Sequence, residues 1–387
     1  MEARSPWFHS RAALVLALVL IMGLLIIHVL FVDISSPKRL GSVRHESDYQ
    51  GERGHLHDRT VPHESDYQGE RGHLHDRTVS NLPLHGPSIE LHAPTDPQDG
   101  IVTSTELFAQ HGKTDRGMHL RMKNVDILGN LTARAQDPLL VLVVLNDHES
   151  WGAGRSIVDF FAMIGEFTHP QNQTSVAILT SDATEFDAIH AHMQHEIHRF
   201  AQFNLILRHD FAAAGLTRGN RKADELQAAR RRMLARYRNY LLLSTLETWH
   251  EHVLWLDSDV HVVAPTLVTK IIKADRDIVQ PICFWGDPPS THEYDYNAWV
   301  GGRQHMGGLS TPPDGFVRLD SVGGTFLYVK ADIHRQGVRF PHFYTIGADW
   351  DKDGTDGIET EGLCYEAHFL GYRCWGMPND PVYHVSD

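Results

Sequence analysis

Two carboxylates one residue apart, Asp257 and Asp259, close an otherwise apolar run in VLWLDSDVHV (Val253 to Val262). An unpaired buried carboxylate is very costly. Either the strand surfaces there or something positive sits on both acids. Side chains at i and i+2 of a strand point to the same side. The pair therefore makes an oxygen-rich half-site for a hard divalent cation. Mn2+ and Mg2+ prefer such oxygens and leave coordination positions for a substrate diphosphate. The chemistry suits transfer from a nucleotide sugar, where the cation neutralises the departing diphosphate. The plain alternative is a solvated strand end followed by a turn.

Such acids need elements that hold them at the edge of a core. LLVLVVL (Leu139 to Leu145) reads as a strand buried on both faces. SIVDFFAMIGEF has helical spacing. SVAILT (Ser175 to Thr180), a helix from Ala183 to about Phe200, NLILR (Asn204 to Arg208), a long helix from about Lys222 to Trp249 and HVLWL (His252 to Leu256) follow in turn. Alternating strand and helix predicts an α/β fold built on a mostly parallel sheet flanked by helices. Ligands bind beyond the carboxyl ends of the strands in open sheets of that kind, and Asp257 and Asp259 stand there.

The rest of the 387-residue chain bounds the setting. A 42% apolar composition is enough for a sizeable core, and a formal charge of −14 argues against a nucleic-acid partner. Three cysteines, Cys283, Cys364 and Cys374, make no disulfide framework; Cys364 and Cys374 could pair in an oxidising compartment or remain buried thiols. Residues 1–11 precede AALVLALVLIMGLLIIHVLFV, Ala12 to Val32, which has no Asp, Glu, Lys or Arg. At ~1.5 Å per residue it extends roughly 31 Å, the depth of a bilayer core, so a single transmembrane signal anchor is expected. Sequons at Asn130 and Asn172 would be usable if the long C-terminal part is lumenal, a type II topology. HESDYQGERGHLHDRTV occurs at residues 45–61 and again at 63–79, an 18-residue duplication without apolar periodicity. Residues 33–136 are expected to form a disordered stem and 137–387 the catalytic domain. The His55/His57 and His73/His75 pairs could alternatively form a zinc or pH-responsive tract.

From Leu139 onward the chain resembles the fungal Golgi α-1,6-mannosyltransferases of the mannan polymerase complexes. RRRMLARYRNYLL (Arg230 to Leu242), VLWLDSDVHVVAP, DIVQPICF, DSVGGTFLYVKADIHRQGVRFP (Asp320 to Pro341) and ETEGLCYEAHFLGYRCWGMPNDPVYH (Glu359 to His384) carry the resemblance, in one order. It implies a GT-A fold, a type II Golgi anchor, GDP-mannose as donor, Mn2+ (or Mg2+), retention of anomeric configuration, a mannosylated glycan acceptor and homologous partner subunits. Leu256 stands where an Arg is frequent in that family, and the duplicated stem is unusual for it.

On that resemblance Asp259 binds the metal directly, Asp257 binds it through water or binds the ribose, and His384 closes the shell. Asp147, in LNDHESWGAGRS, and Asp182, in TSDATEFD, border the nucleotide; either could instead be a turn residue or helix N-cap. Arg231 or Arg236 could clamp a diphosphate, against the alternative of a solvated basic helix face. Gly323 and Gly324 mark a close backbone approach or a bulge, and Asp320 just before them could bind a mannose hydroxyl. Glu361, with Glu359, either faces the donor sugar and acceptor or is a helix-start carboxylate favoured by the macrodipole. No dedicated base is required, because a donor phosphate oxygen can take the acceptor's proton. DWDKDGTDGIETE (Asp349 to Glu361) mimics a calcium loop but carries Thr360 at position twelve; an acidic acceptor-side loop fits it better. An inactive subunit that keeps the fold for assembly, and a lumenal sugar- or calcium-binding module, are the rival readings.

Overall fold

The computed structural model describes residues 90–92, 99–130, 136–221 and 223–385. Ala12–Val32 and the duplicated repeat lie outside the described residues, and among the described residues no helix is long and apolar enough to cross a membrane.

The strands are β1 (Glu90–His92), β2 (Ile101–Ala109), β3 (Arg116–Asn124), β4 (Leu139–Leu145), β5 (Thr174–Thr180), β6 (Gln202–Leu207), β7 (His252–Leu256), β8 (Val260–Val262), β9 (Ile278–Trp285), β10 (Trp299–Val300), β11 (Gln304–His305), β12 (Val317–Leu319), β13 (Phe326–Lys330) and β14 (Cys374–His384). The helices are α1 (Val125–Gly129), α2 (Ile157–Gly165), α3 (Ala183–Glu196), α4 (Asp224–Thr245), α5 (Leu267–Ala274), α6 (Ala331–Arg335) and α7 (Glu359–Phe369). Twelve strands form one sheet in the order β1-β2-β3-β6-β5-β4-β7-β13-β9-β14-β12, with β8 added on β14.

LLVLVVL is central because both of its faces are apolar. Leu139, Val141, Val143 and Leu145 pack on one side with Phe160 and Phe161 of α2 and Ile189 of α3. Leu140 and Leu142 pack on the other with Leu241 and Leu242 of α4. Each such leucine withdrawn from water contributes about 1.5–3 kcal/mol. The parallel pairings β6-β5, β5-β4 and β4-β7 bring Leu207, Thr180, Leu145 and Leu256 to one edge of the sheet.

Two expectations need correction. The sheet is mixed rather than mostly parallel: β13 runs antiparallel to both β7 and β9, and only β14 returns parallel to β9. FLYVK and IVQPICFW are buried on both faces, so they look like parallel strands, but burial carries no record of strand direction. Within the span 33–136 expected as stem, Ile101–Ala109 and Arg116–Asn124 are strands of the sheet. β2 and β3 form a hairpin that joins the sheet at β6. RGMHLRMKN intersperses half-buried positions among buried ones and changes phase at His119/Leu120, and it lacks a continuous apolar run.

Cys364 of α7 and Cys374 of β14 form a disulfide, and Cys283 is a buried free thiol.

Candidate metal and diphosphate site

β7 ends at Leu256, and the chain surfaces. Asp257 N donates to Thr325 O of the segment entering β13 at 2.9 Å, and Ser258 Oγ donates to Ser150 O in the loop after β4 at 2.7 Å. These anchors turn both acids outward, half-buried. β14, the last strand, runs past β8 with His384 opposite Val260, which delivers the imidazole to the same place. His384 Nε2 lies 2.8 Å from Asp259 Oδ2, and Nδ1 meets Val385 O at 2.7 Å. The ring is 2% exposed and stacks on Tyr294 at 3.9 Å between centroids. Burial works against protonation of His384, but the Asp259 carboxylate outweighs it and raises its pKa. The side chains of Asp259 and His384 are thus brought together, and once Nε2 gives up its proton the imidazole nitrogen and a carboxylate oxygen would serve one hard cation. That donor set fits the Mn2+ or Mg2+ expected from the sequence.

Asp257 turns toward Arg238 instead: Arg238 Nη2 donates to Asp257 Oδ1 at 3.1 Å, while Nη1 pairs with the buried Glu359. Burial pushes the Asp257 carboxyl up to about 6 and the nearby Asp259 adds to this, against the pull of Arg238. Of the two acids, Asp259 thus faces His384 and Asp257 faces Arg238.

Among the α4 arginines, Arg238 is the one that meets Asp257. Arg231 and Arg238 are seven residues apart, two helical turns, and so share a face of α4 with the buried Ala235 and Leu242. Arg236 is on the other side, exposed and stacked 4.1 Å over Phe211, away from the acids. Arg231 donates to Glu361 Oε2 at 3.2 Å and to Asn297 Oδ1 at 3.4 Å. Glu361 is buried, and its other oxygen accepts from Arg303 at 3.0 Å. The spacing of seven was the available signal for Arg238.

The two glycines stand where backbone approaches polar groups. A Cβ on Gly323 would collide with the Asp295 carboxylate, and one on Gly324 with the Arg238 guanidinium. Asp295, which the sequence reading missed, is buried and accepts from Gln280 at 3.2 Å and Thr325 Oγ1 at 3.0 Å. Arg155, also missed, donates to Trp151 O at 3.3 Å and Ser258 O at 3.2 Å, close enough to Asp259 to feel its charge. Arg155 lies in the same loop as Gly152, whose Cβ would meet Val385.

The remaining candidates take other places. Asp147 Oδ1 accepts from Arg218 at 3.0 Å; partial burial opposes its ionisation, but Arg218 and Asn146 hold its pKa below the usual carboxylate value. Asp182 caps α3, accepting from Glu185 N at 2.8 Å, which is the helix-cap alternative. Asp320 is exposed and accepts from Gly301 N at 2.7 Å in the β10–β11 turn. In the calcium-like loop, Asp353 pairs with Arg232, and Asp356 with Arg303 at 3.2 Å.

Comparison with known proteins gives a consistent relationship. The mannan polymerase complex subunit mnn9 of Schizosaccharomyces pombe is 28% identical over 262 residues, 57% of this chain and 74% of that protein. The mannan polymerase II complex anp1 subunit of the same yeast is 26% identical over 268 residues, 59% of this chain and 60% of that one. The Saccharomyces cerevisiae ANP1 subunit is 24% identical over 292 residues, and the chain spans 55% of its length. Among solved structures, the mannosyltransferase PcManGT from Pyrobaculum calidifontis in complex with GDP-Man and Mn2+ has a TM-score of 0.41 at 13% identity, covering 64% of this chain and 56% of that one; nothing about this chain follows from so remote a likeness. The profile of the Anp1 family matches residues 118–310 and 301–344, more than half of the 387 residues, and the chain belongs to that family.

Proposed function

We propose that this chain is a GT-A type, metal-dependent, retaining α-mannosyltransferase. It moves mannose from GDP-mannose to an α-mannoside glycan in the Golgi lumen, anchored through Ala12–Val32 and assembled with homologous subunits. The observation that carries this is the meeting of Asp259 and His384, 2.8 Å apart at the mouth of the sheet. The names of the relatives as mannan polymerase complex subunits support the choice of sugar and the partners. The Cys364–Cys374 disulfide supports an oxidising compartment.

In this reading Asp259 and His384 hold the cation, and Asp257 holds it through water or binds the ribose. The bound cation supplies neutralisation of charge on the departing diphosphate. Arg155 adds positive charge beside Asp259. Arg238 and Arg231 are engaged with carboxylates and position the site rather than clamp the diphosphate. Transfer breaks the bond from mannose C1 to the phosphate oxygen and forms one from C1 to the acceptor oxygen. The acceptor proton passes to the leaving phosphate oxygen. Glu359 and Glu361 do not compete for that proton, since guanidiniums hold both.

The test is mannose transfer from GDP-mannose to short α-mannosides with Mn2+, with linkage analysis of the product. Asp259→Ala should abolish transfer while the circular dichroism spectrum stays native. Full activity in that variant overturns the reading. Mn2+-dependent GDP binding without turnover in the unaltered chain would make it a structural subunit instead.

A further inference from the structure

A cavity of about 350 Å³ lies beside β12, the edge strand of the sheet, and the proposed transfer does not use it. α7 supplies much of its lining. Tyr365 and Phe369 are one turn apart and so share a helix face. The Cys364–Cys374 disulfide ties that helix to the start of β14, where Cys374 stands opposite Leu319 of β12. Arg318 and Asp320, on either side of Leu319, line the cavity from the strand, and Arg373 lines it from the turn between α7 and β14. The cavity adjoins the proposed reaction centre through α7. Tyr365 follows Glu361 by one turn, about 6 Å of rise, and Phe369 by two. Tyr365 Oη donates to Asp356 Oδ2 at 3.2 Å, and Asp356 pairs with Arg303, which also donates to Glu361.

Two features mark the cavity as a binding site. First, its guanidiniums are not neutralised by close carboxylates. Arg373 Nη1 donates to Tyr372 O at 2.8 Å and lies 3.5 Å from His368 Nδ1. Partial desolvation and the Arg373 charge lower the pKa of Arg318, and Asp320 offsets part of this. Among the described residues neither Arg318 nor Arg373 forms an ion pair, so both keep N–H donors for a ligand. Asp320 spends one oxygen on Gly301 N and keeps the other as an acceptor. Second, Phe369 lines the same cavity and is 81% exposed. Donors, an acceptor and aromatic surface around one cavity suit a polyol, whose hydroxyls give and take hydrogen bonds while its C–H faces cover a ring. An anion would meet Asp320 and Asp356 in the same lining, and a wholly apolar ligand would strand the guanidiniums.

We propose that this cavity is a distal acceptor subsite, holding the part of a neutral α-mannoside chain remote from the reacting hydroxyl. The identity of the sugar rests on the proposed transfer; the cavity and its lining do not. Arg318 and Arg373 donate to ring hydroxyls, Asp320 accepts from one, and Phe369 covers a sugar face. The acceptor then runs along α7 past Glu361, and a longer chain gains contacts that a short one never reaches.

The experiment uses the full chain and two probes, α-mannobiose and α-mannotetraose. Transfer from GDP-mannose with Mn2+ should show a KM roughly tenfold lower for the tetraose, the worth of one or two added hydrogen bonds. Arg318→Ala combined with Phe369→Ala, both at exposed positions, should shrink that ratio to about twofold or less. Leu243→Ala, an exposed apolar position on α4, should keep the full ratio. Calorimetric titration of the tetraose without donor gives a readout that needs no turnover, and the double variant should bind it roughly tenfold more weakly than the parent. Tetraose binding that the double variant loses, in a chain that transfers no mannose, supports the subsite and overturns the transferase reading. Transfer with the same length ratio in parent and double variant overturns the subsite and leaves the transferase reading standing. Equal tetraose binding by the two chains also overturns the subsite.

Discussion

The guanidinium of Arg238 bridges Asp257 and Glu359, at the end of β7 and the start of α7, donating to Asp257 Oδ1 at 3.1 Å. Arg238 is 7% and Glu359 6% exposed, so neither charge can fall back on water. The cation therefore couples the outlet of the sheet to a helix from the far end of the chain. Removing one partner of such a buried pair costs roughly 3–5 kcal/mol, because the other charge is stranded. Arg238→Met should show that loss in urea unfolding. Arg238→Met combined with Glu359→Gln should be more stable than Arg238→Met alone. If the two changes simply add, the two side chains do not share the interaction.

A similar test applies to Gly323. The Asp295 carboxylate that its Cβ would strike is fixed by Gln280 and Thr325 and cannot swing away. Gly323→Ala should cost about 1–3 kcal/mol, as overpacking does in a tight core. Gly302→Ala, where a Cβ meets nothing within 4 Å, serves as control and should stay within about 0.5 kcal/mol of the parent. Equal melting temperatures for the two variants would remove the argument for close approach.

Residue types alone carried a good part of this site. The D-x-D at the end of an apolar strand, the paired glycines and the terminal histidine were all visible, because each rests on a local rule: strand burial, absence of a Cβ, and imidazole as ligand. Arg238 and Asp295 were not singled out. Arg238 lies in a run of arginines where only the seven-residue phase with Arg231 separates the inward ones from Arg236. Asp295 lies in EYDYNAW, with no flanking periodicity, and gains its role only through Gln280 of β9 and Thr325 just before β13. The direction of β13 and the early hairpin were hidden for related reasons. Two-faced burial does not encode direction, and strands interrupted by half-buried polar positions resemble polar linker. Asp182 follows the local capping rule at the start of α3.

Buried histidines should govern acid stability. His119, His250 and His334 are at most 4% exposed. Burial depresses them to about 4, 3 and 4 respectively, against 6.5 in the unfolded chain. The unfolded state therefore binds more protons between those limits. Their stabilisation is complete above pH 6.5 and is lost as pH falls toward 4. Each group contributes a slope of about 1.4 kcal/mol per pH unit in that window. His334 is the cleanest probe: Nδ1 meets Val338 O at 2.8 Å, and Nε2 accepts from Trp255 at 3.3 Å. A glutamine amide can satisfy both without titrating. His334→Gln should flatten the plot of urea midpoint against pH by about one proton. An unchanged slope would mean that this imidazole ionises in the folded protein.

The last prediction separates positioning from proton transfer at Glu361. Each carboxylate oxygen accepts a guanidinium N–H, one from Arg231 at 3.2 Å and one from Arg303 at 3.0 Å, and the side chain is 3% exposed. A carboxylate so occupied has little capacity left for an acceptor hydroxyl, but it holds Arg231 against Asn297 and Arg303 against the Asp356 loop. Under the proposed activity, Glu361→Gln should raise KM more than it lowers kcat, and should leave the shape of the pH–rate profile intact. Loss of a general base would instead lower kcat by about 10²–10⁴ and abolish the acid limb of that profile. Measuring kcat and KM across pH for the Glu361→Gln and Arg303→Ala variants decides between them. If both raise KM without a new pH dependence, the three side chains act as one fixed wall beside the acceptor.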